Sequence, residues 1–185
     1  ALSHILQTNW HKVTVREHNS QDCIDLDKTR KTNKIPNFKI SKDIIFTNTL
    51  DEVLVYDIII NAIPTQHIRK LLQSTEKTLW KRKTVINAAK WIELETGDTI
   101  HQIFQEETQI SDENYFSLSG ASFANEVCTK NAMTHLVLAS NTQEKYPLIR
   151  DIFENDFCQI TGSEDIIWVE LAGALKNIYA IGAGI

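Results

Sequence analysis

Glycine is scarce in this chain. Six of its 185 residues are glycine, about 3% against an average near 7%, and none precedes Gly97. A phosphate loop of the G-x-G-x-x-G or G-x-x-x-x-G-K-[ST] kind is thereby excluded from the first half. Cysteine is equally thin. Cys23, Cys128 and Cys158 are odd in number and lack Cys-x-x-Cys spacing, which predicts reduced cytosolic thiols and neither a disulfide framework nor a zinc site. The six histidines form no H-x-x-x-H or H-E-x-x-H pair, so a metal site has no support. No Gly-x-Ser-x-Gly elbow offers a nucleophile. No apolar run reaches the ~18–20 residues of a membrane span, and nothing resembles a signal peptide. The longest basic run is Lys81-Arg82-Lys83 in a chain of net charge −5, which leaves no electrostatic footprint for nucleic acid. These absences predict a soluble, cytoplasmic chain that binds neither nucleic acid nor membrane.

What is present suits a globular fold. Apolar residues make up 42% and charged residues 23%, enough for a core without the signature of disorder. Short β-branched runs alternate with amphipathic stretches. Strands are expected at residues 12–16, 57–62, 84–89, 115–119, 134–140 and 157–161, several of them the continuous apolar runs of strands buried on both faces. Between them, Pro64 suits a first helical turn, with Ile68, Leu71 and Leu72 at i, i+3 and i+4; residues 102–107 and 146–153 behave likewise. The alternation predicts an α/β fold with a mainly parallel sheet. From Ser163, an expected N-cap with Glu164 and Asp165 behind it, the chain turns into one helical segment rich in Ala, Gly and Leu. Its small residues would let another helix pack closely. A domain boundary is expected near residue 162.

Four segments carry residues suited to chemistry. Asn61-Ala62-Ile63-Pro64-Thr65-Gln66 runs from a strand's carboxyl end into a helix, the edge where open α/β sheets bind ligands and free N–H groups favour anions; an ordinary strand-to-helix turn has the same sequence. Ala88-Ala89-Lys90-Trp91-Ile92-Glu93 puts a lysine just past another strand, where it either meets a ligand or is simply solvated. Ser119-Gly120-Ala121-Ser122-Phe123-Ala124-Asn125-Glu126 offers backbone donors and a hydroxyl to an oxyanion, or a plain helix cap at Ser122. Val169-Glu170-Leu171-Ala172-Gly173-Ala174-Leu175-Lys176-Asn177 sets a lysine in a small, largely apolar helix. A lysine held in such surroundings has its pKa lowered toward the range of a general acid/base, and a second ammonium nearby pushes the same way. The alternative is that Lys176 snorkels to solvent.

Taken in order, these segments resemble the NAD(P)-dependent glycerol-3-phosphate dehydrogenase family. Residues 170–177, with Ala180-Ile181-Gly182-Ala183-Gly184 behind them, are similar to the signature around the family's catalytic lysine. Residues 120–127 are similar to its G-P-[ST]-F-A-x-E turn, Lys90 with Glu93-Leu94-Glu95-Thr96-Gly97 to its K-G-[IL]-E-x-E-T-G segment, and Ile63-Pro64-Thr65-Gln66 to its V-P-S-[QH] turn. Ala121 stands where the family has proline, Trp91 where it has glycine, and Tyr179 where it usually has an aliphatic residue.

The resemblance implies a Rossmann-like, doubly wound sheet in residues 1–162 and the first helix of an all-helical substrate domain in 163–185. It also implies hydride transfer between NADH or NADPH and dihydroxyacetone phosphate, giving sn-glycerol 3-phosphate for phospholipid synthesis. Lys176 would be the acid/base at the C2 oxygen. Lys90 would touch both substrate and cofactor and keep the pKa of Lys176 low. Gly120, Ser122 and Asn177 would hold substrate; His18, on the adenosine side, Pro64 and Ala124 would border the cofactor. Residues 1–6 align with the helix after the family's glycine-rich loop, so the first strand and that loop are expected to precede Ala1, and most of the substrate domain to follow Ile185. A homodimer is one assembly this reading admits. Another two-domain hydroxyacid-type dehydrogenase, or a nucleotide-binding module without chemistry, are the competing readings.

Overall fold

The computed structural model describes residues 1–120, 124–129 and 133–184, and of Asn177 the backbone alone. Among these the regular elements are α1 (Leu2–Thr8), β1 (Thr14–Arg16), α2 (Ser20–Thr29), β2 (Ile45–Thr47), α3 (Asp51–Leu54), β3 (Ile58–Asn61), α4 (Ile68–Gln73), α5 (Lys77–Trp80), β4 (Thr84–Asn87), α6 (Ile100–Thr108), β5 (Tyr115–Gly120), α7 (Ala124–Thr129), β6 (Thr134–Ala139), α8 (Tyr146–Phe153), β7 (Cys158–Ser163) and α9 (Ile166–Ala183). They divide into two compact units. One holds residues 1–56 and 148–160 with the described part of 121–136; the other holds residues 57–120 and 137–147 with the described part of 161–185.

In the first unit β1 and β2 pair in parallel, Thr14 opposite Ile45. Asn19 starts α2 because its side-chain oxygen accepts the N–H groups of Gln21 and Asp22, at 2.9 and 3.1 Å, orphan donors of the first turn. Ile5, Val13, Cys23, Ile44, Ile149 and Phe153 are buried there. Asn9 donates to the carbonyl of Ile152 at 2.9 Å and so ties the end of α1 to α8. All three cysteines are free and buried.

The second unit carries most of a five-stranded sheet of order β3-β4-β5-β6-β7. β3 and β4 are parallel, with Ile58 opposite Thr84; β4 and β5 are parallel, with Val85 opposite Tyr115. The fold is thus α/β with a mainly parallel sheet, the class that the alternation predicts. Val85, Ile86 and Phe116 are fully buried, as strands with helices against them require. Trp80 meets Phe104 edge-on at 5.7 Å between ring centres, and Phe104 lies 5.7 Å from Tyr115, within the range where aromatic pairs attract.

Local details differ from expectation. The strand β2 is not signalled, because three residues set among Lys42, Asp43 and Asn48 show no clear period. Helix α6 starts two residues early because Thr99 and Gln102 form a reciprocal capping box. Pro64 lies outside the helix: it precedes a 3-10 turn over Thr65–His67, and α4 begins only at Ile68. Ser163 is not the N-cap of α9, since β7 runs through it; Asp165 caps instead, accepting the N–H of Trp168 at 2.9 Å. Within α9 one small residue comes close to a strand: a Cβ on Gly173 would lie 3.0 Å from the Ser119 hydroxyl of β5.

Candidate active site

Three parallel strands bring their carboxyl ends to one edge of the second unit. β3 ends at Asn61 and leads to Pro64, which is exposed; β4 ends at Asn87 and leads to Lys90; Gly120 is the last residue of β5. Two of the segments singled out from the sequence are bound to each other here. The Thr65 hydroxyl donates to the carbonyl of Lys90 at 2.7 Å, and the Gln66 amide both donates to the carbonyl of Ile92 at 3.0 Å and accepts the N–H of Leu94 at 3.1 Å. Behind them Arg69 spreads its guanidinium over four carboxylates, those of Glu93, Asp98, Glu106 and Glu107, each at 2.8 Å. The Arg69 cation, against the desolvation that burial imposes on Glu93 and with help from Thr96, holds the Glu93 carboxyl below its ordinary range, and the carboxylates push Arg69 up. The loop that carries Lys90 is therefore fastened along its length.

Lys90 and Lys176 are both half-buried, and the charge of Lys176 acts on Lys90. Burial lowers the Lys90 ammonium from its ordinary value, and the Lys176 charge lowers it further. Lys176 Nζ lies 3.5 Å from the carbonyl of Gly120, so the end of β5, Lys90 and Lys176 form one cluster. Beneath it runs a polar network. Asn61 donates to the Asn87 side-chain oxygen at 2.9 Å, which also accepts the N–H of Ala89 at 3.1 Å. The Asn87 amide donates to Glu170 at 3.0 Å; the Tyr115 hydroxyl reaches the same carboxylate oxygen at 2.7 Å, and the N–H of His101 reaches the other at 3.1 Å. Burial, with Glu170 close by, raises the Tyr115 phenol well above its usual range, so it stays a neutral donor.

Of the residues expected at a site, the structure gathers Lys90, Gly120 and Lys176 in the second unit, with Pro64 on the neighbouring strand end. His18 and Ala124 belong to the first unit, His18 exposed just after β1 and Ala124 exposed at the start of α7. Ser122 lies outside the described residues, as does the side chain of Asn177. The network of Asn61, Asn87, Tyr115 and Glu170 was not anticipated. One signal for it exists: the apolar runs before Asn61 and Asn87 both end in Asn-Ala, placing two amides at matching heights on adjacent strands. Among the described residues no group of His, Cys, Asp and Glu could hold a metal ion, and no helix is long and apolar enough to cross a membrane.

Comparison with known proteins bears on the same residues. The family described as NAD-dependent glycerol-3-phosphate dehydrogenase N-terminus matches residues 1–146. Glycerol-3-phosphate dehydrogenase [NAD(P)+] of Staphylococcus aureus is 34% identical over 191 residues, covering all of this chain and 56% of its own length. The enzyme of the same name from Oceanobacillus iheyensis is 32% identical over 186 residues, covering all of this chain and 54% of its own. The crystal structure of glycerol-3-phosphate dehydrogenase from Coxiella burnetii superposes with a TM-score of 0.88 at 21% identity, over 99% of this chain and 56% of that one, a likeness of fold. The chain spans about half the length of the curated relatives it matches. It belongs to the family of NAD-dependent glycerol-3-phosphate dehydrogenase N-terminal domains.

Proposed function

We propose that the complete protein is an NAD(P)-dependent glycerol-3-phosphate dehydrogenase of the cytoplasm. It reduces dihydroxyacetone phosphate to sn-glycerol 3-phosphate, a precursor of phospholipids. The observation that carries this reading is the pair of half-buried lysines, Lys90 and Lys176, at the carboxyl edge of a parallel sheet, where open α/β sheets take their ligands. In the finer fold reading, residues 1–162 form a doubly wound dinucleotide-binding domain and residues 163–185 open the helical substrate domain.

The donors at these strand ends fit a nicotinamide dinucleotide in their chemistry. Lys90 is a cation beside the exposed Ala62 and Pro64, suited to a flat ring with an anionic tail, and the exposed His18, with Arg16 two residues before it, suits the adenosine ribose. When bound, the reduced nicotinamide supplies the hydride that adds to C2. Lys176 Nζ holds the proton that passes to the C2 oxygen, so the carbonyl becomes an alcohol and the lysine is left neutral until it reprotonates from solvent. Lys90, its ammonium lowered by burial and by Lys176, orients the same oxygen. Gly120, Ser122 and Asn177 complete the substrate side, and Ala124 the cofactor side. Proton transfer of this kind contributes about 10²–10⁴-fold to a rate. The test is Lys176→Ala in the complete protein, followed by oxidation of NADPH and NADH on adding dihydroxyacetone phosphate. A fall in kcat of about a hundredfold or more is expected; near-normal kcat would remove the acid/base role.

A further inference from the structure

We propose that Glu170 is the positioning residue that sets Lys176 against Lys90, by binding helix α9 to the end of strand β4. The inference rests on the reading of the two lysines given above, but its geometry stands apart from it. Glu170 is the one acidic side chain within α9, as Lys176 is the one basic one. Its carboxylate takes hydrogen bonds from three elements at once: Asn87 of β4, Tyr115 of β5 and the backbone of His101 in the first turn of α6. Asn87 is fully buried and has only one way to face Glu170. Its oxygen already accepts from Asn61 and from the N–H of Ala89, which leaves its amide hydrogens for the carboxylate. Ala89 immediately precedes Lys90. One side chain, Asn87, thus joins the backbone that launches Lys90 to the carboxylate on the helix that carries Lys176.

A carboxylate is the group this position demands. All three partners present hydrogens, and an ionised carboxylate is an acceptor at every lone pair. Glutamine has the same shape but must turn an NH2 toward at least one donor, which leaves a buried polar group unmet. Elsewhere in α9, Gly173 lies against the Ser119 hydroxyl, a contact that supplies no direction along the helix, and Lys176 itself reaches the carbonyl of Gly120 at 3.5 Å. Glu170 supplies that direction.

The test compares Glu170→Gln, Tyr115→Phe and Lys176→Met with the unaltered complete protein. The Lys90 ammonium reports where Lys176 stands, because the neighbouring charge lowers it. Its titration is read from the ε-carbon shift in protein labelled with carbon-13 lysine, assigned with Lys90→Arg. In Glu170→Gln the Lys90 titration is expected to move up, toward its position in Lys176→Met. There kcat falls about tenfold or more, as for a misplaced reacting group, while the Kd of NADPH stays within about twofold. Tyr115→Phe, which removes one donor and keeps the ring, moves both readings the same way by less, and it decides the matter if Glu170→Gln does not fold. A purely stabilising role would lower Tm and leave the Lys90 titration where it was. A Lys90 titration in the folded variants that coincides with the unaltered protein overturns the proposal, whatever the activity. Undiminished kcat in Lys176→Met would instead overturn the reading of Lys176 as the reaction's acid/base.

Discussion

Trp10 and Trp91 hold backbone angles that tryptophan avoids, with φ of +65° and +97°. An L-residue in this region brings Cβ against its own carbonyl, at a cost of roughly 1–2 kcal/mol that glycine does not bear. Trp10 is 91% exposed and Trp91 55%, so neither ring recovers the cost through full burial. Trp10→Gly is therefore expected to raise stability by about 1 kcal/mol net of the added chain entropy, seen as a higher urea midpoint; Trp91→Gly should gain less, because its ring is half covered. The second case also shows what could be seen in the sequence. By the resemblance of its segment, Trp91 stands at a position of glycine in the family pattern, and its φ of +97° is an angle that glycine adopts freely. Lys90 and Lys176 were legible for a similar reason, each being a charge in a locally apolar or turn-forming context. Glu170 stands in the same segment as Lys176 but carries no such signal, because its partner Asn87 is 83 residues away and Tyr115 is 55. Spacing along a chain carries no trace of contacts made across strands.

At the scale of elements, α4, α6 and the loop of residues 90–98 are held by one cation. Arg69 meets the Glu93 carboxylate with two nitrogens, and reaches Asp98, Glu106 and Glu107 with the same guanidinium. Without it four acids face one another, and Glu93, only 7% exposed, loses its counter-ion. Arg69→Met should destabilise the protein at pH 7 by roughly 2 kcal/mol, less than for a fully buried pair because the Arg69 side chain keeps 21% exposure. The pH dependence has a definite sign. The folded pKa of Glu93 lies below its unfolded value, so its contribution is present in full above the ordinary carboxylate range and is lost as pH falls through the folded value. In the variant, burial and the neighbouring acids favour the protonated form instead, so acid relieves it. The gap in urea midpoint between the two proteins should narrow as pH drops from 7 toward 4; a constant gap would mean that the cluster does not act through charge. This cluster was hidden in the sequence as surely as the strands were plain. Val85 and Ile86 advertise a buried strand by their composition, whereas Arg69 and Glu93 look like two ordinary surface residues until α4 and the loop are folded side by side.

For the molecule as a whole, α9 is the element least consistent with isolation. Ile167, Trp168, Ile178, Tyr179 and Ile181 are each more than half exposed, and on a helix of 3.6 residues per turn they fall into a single broad stripe. Soluble monomers rarely leave so continuous an apolar face in water. The sequence signals an apolar, small-residue helix after residue 162, and the structure adds which of its large side chains remain uncovered while Glu170 and Gly173 meet the sheet and Ala174 is buried. Residues 1–185 prepared alone are therefore expected to associate through this face. The apparent mass in sedimentation should rise with concentration, and Ile167→Lys combined with Ile178→Lys should return it toward 21.1 kDa. Neither substitution removes a buried side chain, so Tm should change little while association weakens. Trp168 gives an independent reading, since its fluorescence should shift to shorter wavelength as the concentration rises and the indole leaves water. Association that persists unchanged in the double lysine variant would assign the contact to another surface and leave α9 merely exposed.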